Sequence, residues 1–401
     1  MSDARPPRSL SIVLIAAEES GDALGGALAC ALIEQTGGAV KLAGVGGRAM
    51  AAAGIESPFP IDDLAIIGFN SIPRRLPMIL RRIGEAAEMV IASNPDALVI
   101  IDSPDFTHRV ARRVRRRLPS VPILDYVSPS VWAWRPGRAR AMRAYVDRVL
   151  AILPFEPAVH ERLGGPPCSY VGHPLIERLS DLRPNAAEAQ RRRVDPPLVL
   201  VLPGSRSSEI GRLLSIFGEA LAQVSARVGP MEPVLPTMPH LLPLVRTGVA
   251  GWALKPRIVT EATEKWVAFR NARVALAASG TVTLELALSG IPTVAAYRVS
   301  LLEEIVAERI IRLRSRLPSV ILANLVIGEN VVPEFLQRDC TPRNVADALI
   351  PLFSETPERA QQTEAFARLD RIMALEAAPS AKAAGLVLDA ARSGRGRATH
   401  S

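Results

Sequence analysis

The sequence predicts an α/β fold made of two domains, and three observations carry that reading. Val274 to Tyr297, VALAASGTVTLELALSGIPTVAAY, reads as strand, tight turn, helix and strand. Its apolar run Val274–Ala278 breaks at Ser279-Gly280-Thr281. A helix through Leu284, Leu286 and Leu288 is stopped by Gly290 and Pro292, and a second apolar run follows, Thr293–Tyr297. The strand, glycine turn and helix recur elsewhere, most plainly at Leu198–Arg206. Short apolar runs between helices are the pattern of parallel strands buried on both faces. Finally, 401 residues, 48% of them hydrophobic, are enough for two domains of ordinary size.

In chain order, Leu10–Ala17 is the first strand. Glu18-Glu19-Ser20-Gly21-Asp22 follows as a tight loop, and Ala23–Gln35 is a helix. The strand Val40–Val45 runs into Gly44-Val45-Gly46-Gly47-Arg48-Ala49, which fits the loose dinucleotide pattern G-x-G-x-x-[GA]. That match is a weak signal, because it follows the second strand rather than the first. Leu64–Phe69, LAIIGF, is apolar without a period. Pro73–Ile91 has Leu76, Ile79, Leu80, Ile83, Ala87 and Val90 at helical spacing, accompanied by Arg74, Arg75, Arg81 and Arg82. Such a helix either packs its apolar face on a sheet or lies on an anionic membrane surface.

Ala97–Ile101 is a buried strand ending in Asp102. A carboxylate at the carboxyl end of a parallel strand faces the crevice where α/β sheets bind ligands, so Asp102 is the candidate general base. Asp105 caps the next helix, Phe106–Leu118, which carries Arg109, Arg112, Arg113, Arg115, Arg116 and Arg117. No aromatics interleave with these arginines, so single-stranded nucleic acid is a poor fit; the face is solvated or meets phosphate. After the strand Ile123–Val127 comes SPSVWAWRPGR, where Trp132 and Trp134 either wall a pocket or pack locally.

Strands Val149–Leu153 and Ser169–Val171 precede Gly172-His173-Pro174. Leu179–Pro197 is polar and charged and reads as a linker. Leu198–Leu202 then ends in Pro203-Gly204-Ser205-Arg206, where the arginine is placed to clamp a diphosphate. Strands Glu232–Pro236 and Arg257–Thr260 lead back to Ser279, Gly280 and Thr281. Their hydroxyls and N–H groups at a helix start either hold a phosphate or simply cap the helix. Glu285, one turn further, would repel a phosphate and so would accept from sugar hydroxyls; a ribose beside a diphosphate fits both. The remainder is helical and ends in a polar tail, Ser393–Ser401.

The net charge of +8, mostly arginine, points to an anionic partner: nucleic acid, anionic lipid or a phosphorylated substrate. Cys30, Cys168 and Cys340 lie far apart, match no metal spacing and leave an odd thiol. A reducing compartment without a disulfide framework is expected. Arg5, Arg8 and the apolar Leu10–Ala17 mimic a signal peptide, but Glu18 and Glu19 end the run early. No apolar run reaches the roughly 18 residues that span a bilayer, so a soluble or peripheral protein is expected.

Taken together, several motifs resemble the lipid-A-disaccharide synthase family. They are Ser20-Gly21-Asp22, IDSPDF at Ile101–Phe106, YVSPSVWAW at Tyr126–Trp134, LPFE at Leu153–Glu156, Gly172-His173, LPGSR at Leu202–Arg206, ASGT at Ala278–Thr281 with Glu285, and Asn324 with Val332-Pro333-Glu334. The chain departs from the family at Glu19, within Ala17-Glu18-Glu19 where Gly-Glu-Thr is usual, and at Ala323, where proline is usual. The resemblance implies a B-type glycosyltransferase fold: two Rossmann-like domains facing a cleft. The expected division is an acceptor- and membrane-facing domain 1–178, a linker 179–197, a UDP-donor domain 198–350, and C-terminal helices 351–392 packing back on the first domain.

The resemblance also implies a reaction. A diacylglucosamine passes from its UDP carrier to diacylglucosamine 1-phosphate, with inversion and without a metal or other cofactor. Asp102 would take the proton of the acceptor's 6-hydroxyl. Gly204, Ser205, Arg206, Ser279, Gly280 and Thr281 would hold the diphosphate, Glu285 the ribose, and Asn324 a further part of the donor. Ser20, Gly21, Asp22, Trp132, Trp134 and His173, the last near the hinge, are secondary candidates. Leu64–Phe69 and Arg74–Arg82 would dock on the cytoplasmic face of the inner membrane. The sequence does not choose between a monomer and a homodimer. The rival readings are another UDP-sugar enzyme of the same fold, an oxidoreductase using Gly44–Ala49, and a basic nucleic-acid-binding protein.

Overall fold

The structure is a computed structural model that describes residues 9–64, 72–299 and 318–398. The chain forms two compact units, Met1–Ile176 with Leu375–Ser401, and Glu177–Ala374. Each is built on one parallel sheet.

The first unit's sheet has the order β2-β1-β3-β4-β5-β6. These strands are β1 Leu10–Ala16, β2 Val40–Val45, β3 Ala97–Ile101, β4 Ile123–Tyr126, β5 Arg148–Ala151 and β6 Cys168–Tyr170. All five pairings are parallel. Every residue of β3 is buried, which is why ALVII carries no alternation in sequence. The final helix, Pro379–Ala398, packs on the Glu19–Gln35 helix through Ala383, Ala384, Val387, Leu388 and Ala391, so the chain's end closes the first unit's core. That helix takes up most of the stretch that reads as a polar tail.

The second unit's sheet has the order β12-β11-β10-β7-β8-β9. Here β7 is Leu198–Leu202, β8 Glu232–Pro236, β9 Arg257–Val259, β10 Val274–Ala278, β11 Thr293–Tyr297 and β12 Glu334–Leu336. This is the strand order of a Rossmann sheet. Strands β7 and β10 are buried throughout. The helix Pro357–Met373 stays with this unit: the Gln362 side chain accepts from Thr293 N at 2.8 Å and donates to Thr293 O at 3.1 Å.

Two further segments differ from the sequence expectation, and a third falls between its two readings. Residues 179–197 are not a free linker but part of the second unit, with helices Leu179–Leu182 and Ala186–Arg191. Arg192 donates to the carbonyls of Phe269, Arg270 and Ser289 at 2.8–3.1 Å, satisfying acceptors at two helix ends. Burial lowers its pKa to about 10. Most of the stretch is exposed all the same, with Arg192 tying it to the unit. Second, the first helix starts at Glu19, so Ser20, Gly21 and Asp22 form its opening turn rather than a loop.

Third, the helix Ile72–Ser93 buries Ile83, Ala87 and Val90, yet Leu76 and Leu80 are 42% and 41% exposed. Its Arg81 pairs with Glu85, and Arg82 pairs with Asp63 and Glu85 while lying over the Phe59 ring. Of LAIIGF only Leu64, which is buried, falls within the described residues; the rest, and the side chains of Arg74 and Arg75, lie outside them.

Candidate active site

In the first sheet the strand order reverses between β1 and β3, and in the second between β7 and β10. Ligands of open α/β sheets bind beyond the carboxyl ends of the strands at such reversals. Ser20 and Asp102 follow β1 and β3. Gly204–Arg206 and Ser279–Thr281 follow β7 and β10.

At the first reversal the Ser20 hydroxyl donates to Asp102 Oδ2 at 2.9 Å, and Ser103 N donates to Asp102 Oδ1 at 2.7 Å. Both carboxylate oxygens are thus oriented, and the residue stays half-exposed. Asp102 and Ser103 adopt positive φ, 53° and 43°. Two successive left-handed non-glycine residues are strained, at about 1–3 kcal/mol each, and such strain clusters at functional sites. Thr107 Oγ1, donating to Asp102 O at 2.7 Å, and Asp102 N, donating to Tyr126 O at 3.0 Å, hold the turn. Gly21 lies so close to this turn that a Cβ on it would come within 3.1 Å of Ile101 O.

Asp22 points elsewhere. Its buried carboxylate accepts from Gly47 N, Ala49 N and Met50 N at 2.6–3.0 Å. The anion seat of the Gly44–Ala49 loop is therefore filled by the protein's own carboxylate, which leaves no place there for a dinucleotide phosphate. Asp22→Ala would orphan three amides and should destabilise the first unit by about 3 kcal/mol or more. Urea unfolding checks this; an unchanged midpoint together with weakened UDP binding would contradict it.

YVSPSVWAW and LPFE hold each other. Val127 takes a positive φ of 82°, an outlier for a β-branched residue. Ser128 Oγ lies 2.8 Å from His160 Nε2. Trp132 packs edge-on against Phe155, and its Nε1 donates to Glu156 Oε1 at 3.3 Å. Leu153 N donates to the other oxygen of Glu156 at 3.0 Å. Trp134 instead carries Arg135 at 4.1 Å over its ring.

Burial pushes the Glu156 carboxyl up to about 7 from an ordinary 4.5. The folded chain then binds this proton more tightly than the unfolded chain. Its stabilising effect is complete below about pH 4.5 and is lost as pH rises through about 7, a change of about 3 kcal/mol. Glu156→Gln stays neutral and should flatten the fall in melting temperature between about pH 5 and about pH 8. Equal slopes in the two proteins would refute this role.

His173 is buried, which lowers its pKa to about 4 and leaves it neutral at pH 7. Its Nδ1 accepts from Leu175 N at 3.2 Å, so the proton sits on Nε2. Any anion there would meet a neutral donor, not a cation.

At the second reversal Gly204 has φ +117° and Gly280 φ +152°, backbone that a side chain would strain. The Ser205 and Arg206 amides donate to Glu209 Oε2 at 3.2 and 3.3 Å, so the helix start is capped from within. The Arg206 side chain is 77% exposed and touches Glu209 only at 3.3 Å, free to swing onto an anion. No described residue accepts from the Gly280 and Thr281 amides. The Ser279 hydroxyl donates to Val320 O at 3.2 Å, and Glu285 pairs with Lys265 at 3.1 Å.

Asn324 is consumed by its own loop. Its Nδ2 donates to Ser319 Oγ and Val332 O, and its Oδ1 accepts from Val331 N and Val332 N, all within 3.2 Å. Asn324 therefore positions the 318–334 segment and has no amide group left for a ligand.

The profile of a family described as lipid-A-disaccharide synthetase matches residues 12–386. The chain belongs to this family. It is 59% identical over 389 residues to the lipid-A-disaccharide synthase of Nitrobacter hamburgensis, covering 97% of each chain. The synthase of Bradyrhizobium diazoefficiens is 58% identical over 396 residues, covering 98% of this chain and all of that one.

Solved structures similar in fold include MurG of Acinetobacter baumannii, with TM-score 0.56, 16% identity, and 95% and 99% of the two chains covered. The calicheamicin glycosyltransferase CalG4 gives 0.57, 17%, and 96% and 98%. The UDP-GlcNAc 2-epimerase of Neisseria meningitidis bound to UDP-GlcNAc gives 0.59, 12%, and 95% and 98%. At these identities the likeness shows the fold: the chain has the B-type glycosyltransferase fold of two Rossmann-like domains. As a member of the lipid-A-disaccharide synthase family it is a glycosyltransferase. No helix among the described residues is long and apolar enough to cross a membrane.

Proposed function

We propose that the chain transfers 2,3-diacylglucosamine from its UDP carrier to the 6-hydroxyl of 2,3-diacylglucosamine 1-phosphate, forming a β-1,6-linked disaccharide 1-phosphate and UDP. The observation that carries the chemistry is the Asp102 carboxylate, oriented by Ser20 and by a strained turn at the reversal of the first sheet. Asp102 takes the proton of the 6-hydroxyl as that oxygen attacks the anomeric carbon. The bond from that carbon to the UDP β-phosphate oxygen breaks, and one displacement inverts the centre.

Arg206 and the Gly280 and Thr281 amides stabilise the leaving diphosphate. The helix Val282–Leu288 has only seven residues, so the loop amides and the guanidinium carry more of this than a helix dipole. Glu285, fixed on one side by Lys265, accepts from the ribose hydroxyls. Charge neutralisation by arginine and amides supports transfer without a metal.

Acyl substrates reside in a membrane, which supports peripheral docking on the cytoplasmic face of the inner membrane. Exposed Leu76 and Leu80, and Arg81 beside them, support the Ile72–Ser93 helix as part of that surface. The test is incubation with both sugars, followed by mass and anomeric configuration of the product. A β-linked disaccharide 1-phosphate is expected. An α-linked product, or epimerisation of a UDP-sugar without any acceptor, would overturn the proposal.

A further inference from the structure

The first unit holds a cavity of about 420 Å³ lined by Pro104, Asp105, His108, Arg109, Arg112, Gly137, Ala141 and the pair Arg135 and Arg138. Four guanidiniums there face one carboxylate. We propose that this cavity binds the phosphate of the acceptor sugar, a phosphomonoester dianion. The assignment rests on the reaction proposed above and names its acceptor subsite.

The arginines come from two separated segments, and the contacts that fix them neutralise only one of the four charges. Arg112 donates to Tyr145 Oη at 3.1 Å and lies 4.6 Å over that ring. Arg135 lies over Trp134 on a left-handed backbone, φ 51°. Arg138, with its side chain 14% exposed, pairs with Asp105 at 3.3 Å. Arg109 has no ion-pair partner among the described residues. Holding like charges together with a single carboxylate among them is unfavourable, and a bound anion relieves it. Guanidinium forks match phosphate oxygens in pairs.

A phosphomonoester carries close to two charges at neutral pH, which suits an excess of guanidiniums better than a singly charged phosphodiester headgroup. The cavity also adjoins the Asp102 turn along the chain. Its wall begins at Pro104 and Asp105, directly after the Asp102–Ser103 turn. The acceptor's reacting 6-hydroxyl and its 1-phosphate flank the same ring oxygen, on C5 and C1, so base and phosphate seat should be neighbours without coinciding. This gives the double-tryptophan motif a function: Trp134 is the platform on which Arg135 is held.

The test compares wild type with Arg109→Gln and Arg109→Gln/Arg135→Gln on two acceptors, the 1-phosphate and the same sugar without it. The ratio of kcat/KM for the phosphorylated over the unphosphorylated acceptor should fall about tenfold for the single variant and further for the double, without a matching rise in donor KM. Equal losses on both acceptors, or a rise in donor KM alone, would overturn the assignment.

A second arm needs no turnover: glucosamine 1-phosphate titrated into each protein and followed by NMR. Binding by wild type that weakens in Arg109→Gln supports the cavity even if transfer fails, in which case only the reaction is wrong. Absence of binding by wild type overturns the cavity. Co-sedimentation with phosphatidylglycerol vesicles separates the lipid source. Lost vesicle binding with an unchanged acceptor ratio would assign the arginines to a membrane surface instead and overturn the proposal.

Discussion

Asp102→Asn should lower kcat by about 10²- to 10⁴-fold, the range for removing a general base, while the protein stays folded and binds UDP normally. The change is nearly isosteric. Asn keeps an oxygen for the Ser20 hydroxyl or the Ser103 amide, so the strained turn should survive. What it cannot do is take the proton from the acceptor's 6-hydroxyl as the new bond forms. The loss should appear in kcat and in kcat/KM together, because the interaction exists only in the transition state. Ser20→Ala should cost less, since Ser103 N still fixes the carboxylate from its other oxygen. If Asp102→Asn instead raised acceptor KM at constant kcat, Asp102 would be a binding group, and the base would have to be sought elsewhere.

Arg206→Ala should lower kcat/KM for the donor by about 10²- to 10³-fold, the usual effect of losing one charge-stabilising contact to a leaving group. Its guanidinium is exposed and only loosely tied to Glu209, so removing it leaves the helix start intact: the Ser205 and Arg206 amides remain capped by the Glu209 carboxylate. Stability should hardly change, and the loss can be read as chemistry. Arg206→Lys should recover only part of the activity, because a point charge replaces a two-pronged donor. Full activity in Arg206→Ala would place the leaving-group charge on the Gly280 and Thr281 amides alone.

The strands were legible because parallel strands buried on both faces must be continuous apolar runs, as β3, β7 and β10 are. The turns after β3, β7 and β10 were legible because a carboxylate, a glycine or an arginine at the end of such a run has few structural reasons to be there. What could not be read depended on partners distant in the chain. Asp22 looks like a loop ligand until the amides of Gly47–Met50 are seen to occupy it. Arg192 looks solvated until it meets carbonyls near residues 270 and 289. Asn324 fits a family pattern, yet its hydrogen-bonding groups are spent on Ser319, Val331 and Val332. The arginine cavity needs Arg109 and Arg112 to meet Arg135 and Arg138, and neither segment alone differs from a solvated basic face.

The most direct test of the account is UDP release from the UDP-linked diacylglucosamine, with and without diacylglucosamine 1-phosphate, for wild type and Asp102→Asn side by side. The account predicts release by wild type that depends on the acceptor and is lost by orders of magnitude in a variant that still binds UDP. Release that ignores the acceptor, or that survives Asp102→Asn, would contradict it.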